Sequence, residues 1–401
     1  MKIGKPGITV ENNTVVYRTE VESADGRRDL WFRVDAKYAD LVTDSCDPAL
    51  LGLLMPAMAN GKDMHLSGPI SERLYYNLSG PCQNAFRIVI PTLQQISIRP
   101  SELLSKGKPA PGVATGFSGG IDSFCVLADH FYSPDCPPGF RPTHLVFNNV
   151  GSHGHGADGE RIFKGRYNRL APFVERIGLP FVALDSNLDS FYIEELHFTR
   201  THTPRNIAAA LLLQGGIGRY LSASSTDYRA AALYESQYIA SSESILIPLL
   251  ASESMDILSV GHEYRRVDKT LKVADIPDSY EVLDVCVREG DRNCTDCKKC
   301  LRTTIALDIA GRLDNYSERF DLARYRAQRN KLLSRFLRKK TGRGILRGEV
   351  RALAKEYGWR VPLPARLRTW LYKAAYPVRY LHKLLKRTAK KILRKDNRPR
   401  G

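Results

Sequence analysis

The chain has 401 residues, of which 43% are hydrophobic and 26% charged; this is ordinary globular composition, with length for two or three domains. The longest uninterrupted apolar run, near Ile245 to Ala251, is too short to cross a bilayer, and no charged-then-apolar export segment opens the sequence, so a cytoplasmic protein is expected. The formal charge of +17 is unevenly spread: from Arg324 onward there are 26 Lys and Arg against 3 acids, whereas the first 323 residues carry 34 against 40. The basic character therefore belongs to the tail, not the body.

Residues 1–108 mix alternating stretches (TVVYRTEV, DLWFRVD, FRIVIPTL) with helix-like ones (PALLGLLMPAMANG, SERLYYNL), which predicts a small α+β domain. SKGKPAPG, Ser105 to Gly112, reads as a linker because its Pro, Gly and Lys oppose regular structure. Over 109–323 apolar runs alternate with amphipathic ones: GVATGF with DSFCVLADHFY, THLVFNNV with GERIFKGRYNRLAPFVERIG, PFVALDSNL with TPRNIAAALLLQGGIG, and then RYLSASS. Such alternation predicts an α/β domain with a parallel sheet joined by right-handed crossovers, whose ligands bind beyond the carboxyl ends of the strands. Residues 324–401 form a basic, helix-prone tail interrupted at Pro362 and Pro364.

The stretch ATGFSGGIDSFCVLADHF, Ala114 to Phe131, places Ser118, Gly119, Gly120, Ile121, Asp122 and Ser123 where a strand becomes a helix. A loop entering a helix aims unpaired N–H groups and the positive end of the helix dipole at one spot, which makes an anion site. The glycines let the backbone approach, Ser118 and Ser123 add hydroxyl donors, and Asp122 suits a Mg²⁺ ion that travels with a nucleotide. The spacing is neither G-x-x-x-x-G-K-[ST] nor G-x-G-x-x-G.

GFSGGIDSF resembles the PP-loop of the ATP pyrophosphatases, or adenine nucleotide α-hydrolases, whose signature is SGGxDS after the first strand. The resemblance implies a HUP-like Rossmannoid core that binds ATP. In that family the loop holds the β- and γ-phosphates, and a substrate oxygen attacks the α-phosphorus, giving an adenylated intermediate and pyrophosphate. Ser118, Asp122 and Ser123 then take the catalytic positions. From position alone, Asn148 and Asn149, at the end of the second strand, could meet adenine or ribose.

CVREGDRNCTDCKKC supplies four thiolates, Cys286, Cys294, Cys297 and Cys300, separated by gaps of seven, two and two residues. C-x-x-C-x-x-C alone could also hold an iron–sulfur cluster. The fourth cysteine favours a closed tetrahedral Zn²⁺ site with a structural role. A PP-loop followed by this cluster resembles the 7-cyano-7-deazaguanine synthases and their looser relatives over about Gly112 to Ala310. YLSASSTDY falls where that family has a strand end near the nucleotide, and IPLLASESMDILSVG where it has a proline-led helix. Those enzymes carry a Lys in that helix where Ser254 stands in this chain, so either Lys269, Lys272 or Arg265 replaces its charge or the phosphate chemistry is altered.

Weaker signals are His153 and His155 in a Gly-rich loop at the ligand edge, which suit acid–base work or simple loop polarity, and Asn149 beside Asn148. Arg200, His202 and Arg205 precede a helix start read at Thr203 and Pro204; this fits an anionic substrate or a solvated surface equally. Cys125 and Cys136 read as ordinary thiols. In the tail, Leu367, Trp370, Leu371, Ala374, Val378, Leu381, Leu385 and Ile392 recur at helical steps among Lys and Arg, with a break at Pro377. This pattern suits an anionic membrane surface, with Trp370, Tyr372, Tyr376 and Tyr380 at the interface, or RNA phosphates, or packing on the body. The flanking aromatics, and the lack of a recognisable RNA-binding motif, favour the membrane.

The expected activity is ATP-dependent adenylation of a carboxylate or carbonyl oxygen of a small molecule, followed by nitrogen transfer. The rivals are tRNA modification and an ATP-binding protein without turnover, tethered by its tail. A homodimer is a further expectation.

Overall fold

The computed structural model describes residues 1–24, 26–154, 156–338 and 345–375, with the backbone alone at 345–347. The chain divides into two compact units, Met1–Asp284 and Val285–Gly401.

The first unit is a mixed α/β structure around an eleven-stranded, largely parallel sheet. Its amino-terminal part contributes β1 (Lys2–Ile3), β2 (Gly7–Glu11), β3 (Thr14–Ser23), β4 (Gly26–Asp35), α1 (Asp47–Ala59), β5 (Met64–Ser71), α2 (Glu72–Ser79), α3 (Pro81–Val89) and β6 (Ile98–Leu104). Next come β7 (Gly112–Gly116), α4 (Ile121–Leu127), β8 (His144–Asn149), α5 (Gly156–Arg176), β9 (Phe181–Ser186) and α6 (Phe198–Leu212). The unit is completed by β10 (Ile217–Ala223), α7 (Glu243–Leu246), β11 (Asp256–Val260) and α8 (Arg266–Ala274).

The strand order is β11-β10-β7-β8-β9-β4-β3-β1-β5-β6, with β2 paired to β3. The run β11-β10-β7-β8-β9 is parallel throughout. Within it the chain steps outward from β7 through β8 to β9, then returns to the other side of β7 for β10 and β11, the ordering of a doubly wound sheet. The point of reversal lies between β7 and β10, and ligands in such sheets bind at the carboxyl ends of the strands there.

Residues 1–104 are part of this sheet, because β4 pairs antiparallel with β9 through Phe32–Ser186 and Arg33–Asp185. One apolar core runs from Ile3 to Ile257 and takes in most apolar residues of α1, a helix buried along nearly its whole length and packed on α6. An all-round apolar helix has no face to offer water and must be covered. Asp47, at the start of α1, is buried and accepts hydrogen bonds from Ser71 N (2.9 Å), Ser71 Oγ (2.6 Å) and Gln214 Nε2 (2.8 Å). Of the expected linker, Ser105 to Gly112, residues 105–110 are irregular chain joining two strands of one sheet, and Gly112 already belongs to β7.

Two local expectations differ from the structure. FRIVIPTL is not a strand: its first four residues close α3, whose buried Cys82, Ala85, Phe86 and Val89 follow the helical period. IPLLASESMDILSVG is not a helix but a single 3₁₀ turn, Ile247–Leu250, followed by β11.

In the second unit α9 (Lys298–Ile309), α10 (Leu322–Arg338), α11 (Ile345–Glu356) and α12 (Leu363–Ala374) pack around Tyr316, Phe320, Tyr325, Leu333 and Leu353. The buried Tyr325 hydroxyl donates to Asp308 (2.9 Å), which also takes Nε and Nη2 of Arg329 (2.8 and 3.1 Å). Among the described residues no helix is long and apolar enough to cross a membrane.

Candidate functional site

The carboxyl end of β7 runs into Phe117–Gly120 and then α4, so the Ser-Gly-Gly-Ile-Asp-Ser stretch sits at the reversal point of the sheet. Phe117 anchors the loop by donating its N–H to Val146 O (2.8 Å) and by burying its ring against Phe124 and Phe173. Gly119 has φ +70°, and a Cβ there would lie 2.7 Å from Leu170 Cδ2, so a side chain would meet both strain and a clash. Its carbonyl accepts from Asp284 N (2.7 Å). Gly120 caps α4 and its carbonyl accepts from Phe124 N (3.0 Å) and Ser123 Oγ (3.1 Å). Ser118 is exposed at the loop tip, whereas Ile121 is a core residue that offers the site only its backbone. Among the described residues no acceptor faces the N–H groups of Ser118, Gly119, Gly120 or Ile121.

Asp122 is held by cations from α8. Arg266 grips it with both nitrogens, Nη1 to Oδ1 at 2.7 Å and Nη2 to Oδ2 at 2.8 Å, and Lys269 Nζ lies 3.5 Å from Oδ1. Lys269 is only 2% exposed and also donates to the Ser224 carbonyl (2.6 Å) and hydroxyl (2.8 Å), immediately beyond β10. Arg266 reaches Ser225 O at 3.3 Å. Three segments that leave the carboxyl ends of β7, β10 and β11 thus converge, and they bring two cations and a set of free N–H donors to one place. That is the chemistry of an oxyanion or phosphate site. An anion entering here would compete with Asp122 for both cations.

No protein-family model, curated protein or solved structure matches this chain.

Of the three cations expected to stand in for the charge lacking at Ser254, Lys269 alone reaches the loop. Lys272 is bound to Asp129 and donates to Tyr264 Oη (3.1 Å), contacts that hold its pKa above the ordinary lysine value against the opposing effect of burial. Arg265 closes the start of α8 on its own Asp268 through Nε (2.7 Å) and Nη2 (2.5 Å). Arg266 carries no motif of its own; its one sequence signal is that it belongs to a pair of arginines opening a helix after a strand of the parallel run.

Asn148 stands near the carboxyl end of β8, half-buried, in register with Leu184. Its neighbour Asn149 is the networked residue: Nδ2 donates to Asp185 (2.8 Å), and Oδ1 faces His153 Nδ1 at 3.3 Å. Asp185 in turn accepts both Nε (3.1 Å) and Nη2 (2.6 Å) of Arg33 from β4. His153 packs against Phe147 and Phe163, and this burial, with the Arg166 charge, brings its pKa down to about 4. It is therefore a neutral ring near pH 7, which suits hydrogen bonding better than proton delivery. His155 lies outside the described residues.

Arg200, His202 and Arg205 lie inside α6, which begins at Phe198, not after them. Arg205 is buried, paired with Asp189, donates to Leu196 O (2.9 Å) and stacks 3.4 Å over Tyr192; it ties the β9–α6 connection together. His202 Nε2 meets Glu243 at 3.1 Å and Arg200 donates to Glu195 O at 3.2 Å. Cys125 is buried in α4 with its pKa pushed up to about 12, an inert thiol; Cys136 lies beside His130 and Pro137 O, and its pKa is raised by burial.

In the second unit, one Sγ from each of Cys286, Cys294, Cys297 and Cys300 falls within 4.8 Å of the others, and this cluster could bind a metal such as zinc. Cys294 and Cys300 are 3.8 Å apart and Cys297 and Cys300 3.4 Å, near the roughly 3.8 Å edge of a tetrahedron with ~2.3 Å metal–sulfur bonds. Arg288 N and Cys297 N donate to the sulfurs of Cys286 and Cys294, each at 3.3 Å, and Cys300 N to Cys297 Sγ at 3.4 Å. Burial opposes a Cys294 thiolate, but hydrogen bonds from the Asp296 and Cys297 backbone, then from Cys286 and Cys300, bring its pKa to about 7. Thr295, at φ +57°, makes the tight turn between the second and third cysteines, and α9 starts directly from it, capped by Cys297. Four sulfurs leave no open position for chemistry.

Proposed function

We propose that the chain is an ATP pyrophosphatase of the PP-loop kind, which adenylates a carboxylate or carbonyl oxygen of a small molecule and then transfers nitrogen to it. The observation that carries the reading is the convergence of Arg266 and Lys269 on the loop at the reversal point of the sheet. Ser118, Ser123 and the backbone of Gly119 to Ile121 would hold the β- and γ-phosphates. Arg266 and Lys269 would turn from Asp122 to the phosphates, and Asp122, so released, would hold Mg²⁺, which neutralises polyphosphate charge.

In the first step the substrate oxygen bonds to the α-phosphorus, the α–β phosphoanhydride bond breaks, and pyrophosphate leaves with both bonding electrons. In the second an amine bonds to the activated carbon, AMP departs, and the amine proton passes to solvent. Catalysis on this scheme is positioning plus neutralisation of the leaving pyrophosphate. A Zn²⁺ ion in the four-cysteine cluster would serve the fold alone.

The test follows labelled ATP to AMP and pyrophosphate in the presence of small-metabolite and RNA fractions of a cell extract. Metabolite-stimulated turnover that falls at least ~100-fold in Asp122→Ala is expected, with circular dichroism showing the fold retained although melting comes earlier, because Lys269 and Arg266 lose their counter-ion. Pyrophosphate release retained in that variant would remove the site; stimulation by RNA alone would replace the small molecule with a tRNA substrate.

A further inference from the structure

Helix α12 is built inside out for a water-soluble protein. Its inner side is narrow and small or polar: Ala365 is buried, Thr369 Oγ1 donates to Ser334 Oγ of α10 at 3.2 Å, and Arg338 of α10 lies 3.8 Å over the Tyr372 ring. The outer side carries the large apolar groups, with Leu363 74%, Leu367 58%, Trp370 63% and Leu371 52% exposed. With Ala374 these positions span roughly 100° of helix arc, and among the described residues of this unit nothing packs on them. Arg366 and Lys373 border one side of the stripe and Arg368 the other, all exposed.

We infer that this face docks on the surface of an anionic lipid bilayer. An apolar stripe between two rows of cations is the pattern of a helix lying in the interface, its leucines among the acyl chains and its cations at the headgroups. The composition around it agrees: residues 357–401 hold 14 Lys and Arg and one acid, Asp396. Nucleic acid would satisfy those charges but leave the leucines facing water, since a base stacks on an aromatic or guanidinium plane and not on an aliphatic chain. A second copy of the chain would cover the leucines but bring a like-charged segment against this one. The bilayer alone answers both features, and the aromatic Trp370 sits where interfacial side chains do.

The experiment floats the full-length protein with vesicles of phosphatidylcholine, alone or with about 30% phosphatidylglycerol. Partition at least ~10-fold stronger to the anionic vesicles is expected, weakening with salt. Leu367→Glu with Trp370→Glu should lower it by ~10-fold or more at unchanged circular dichroism, because both positions are solvent-exposed. Brominated acyl chains should quench fluorescence in the wild type, and markedly less in Trp370→Phe while that variant still floats. Equal flotation with neutral vesicles, or flotation insensitive to Leu367→Glu/Trp370→Glu, would overturn the inference. So would a concentration-dependent dimer abolished by Leu367→Glu, which would assign the face to a second copy, or retention on RNA abolished by the same substitution.

Discussion

A lysine with 2% of its surface exposed must find oxygen, and Lys269 finds the Ser224 carbonyl and hydroxyl and the Asp122 carboxylate. The three partners come from segments up to 147 residues away in sequence, as does the Asp122–Arg266 pair at 144, so no local spacing announces the arrangement. The placement of the Ser-Gly-Gly-Ile-Asp-Ser stretch between a strand and a helix was legible because the stretch is contiguous; the cations that converge on Asp122 were only partly so. His153 gives this scale a pH prediction. Its folded pKa, about 4, lies below the ordinary 6.5, so between those values the unfolded chain binds more protons and stability falls as pH falls. The full contribution is present above about pH 6.5 and its loss, at most ~3 kcal/mol, is complete near pH 4. Urea melts from pH 7 to 4 should therefore show a steeper decline for the wild type than for His153→Asn; parallel curves would show that the ring titrates normally.

At the level of elements, the cysteine knuckle and α9 behave as one device. The turn at Thr295 points sulfurs inward, Cys297 caps the helix, and Asp296 binds Arg335 of α10 (2.7 Å) and Arg288 (3.7 Å). Ligands far apart in an unfolded chain make metal binding part of the folding free energy. The purified protein is expected to hold about one zinc per chain, and chelation or Cys300→Ser should depress one thermal transition in the full-length protein. A visible iron–sulfur absorption band, or a metal content far below one, would discard the zinc assignment. Cysteine spacing is thus readable directly, whereas short secondary structure was less so. FRIVIPTL looked like a strand because the window straddled the end of α3 and borrowed apolar residues from the turn beyond it. β5, written MHLSGPIS, hid its alternating burial behind a Gly and a Pro that normally argue against a strand.

For the whole molecule, the alternation of strands and helices after residue 109 correctly announced a largely parallel sheet, and composition marked Ser105 to Gly112, of which 105–110 are irregular. What composition could not reveal is that the stretch joins parts of one body. Its neighbours on either side share the α1–α6 contact and the β4–β9 pairing, and Tyr192 Oη donates to Gly52 O at 2.8 Å across the same seam. Long-range burial of this kind leaves no mark in either segment read alone, because an apolar helix looks the same whichever partner covers it.

That exposed strand-to-strand connection is where a protease is expected to cut without undoing the fold. Limited digestion at Lys106 or Lys108 should give two fragments that separate in denaturant but migrate together on a native gel, because each would otherwise bare its side of the α1–α6 contact. Fragments that part spontaneously would mean the two segments are independent after all. If they stay together, the peptide bond between them is dispensable once folding is done, and the chain could be expressed as two genes whose products find each other.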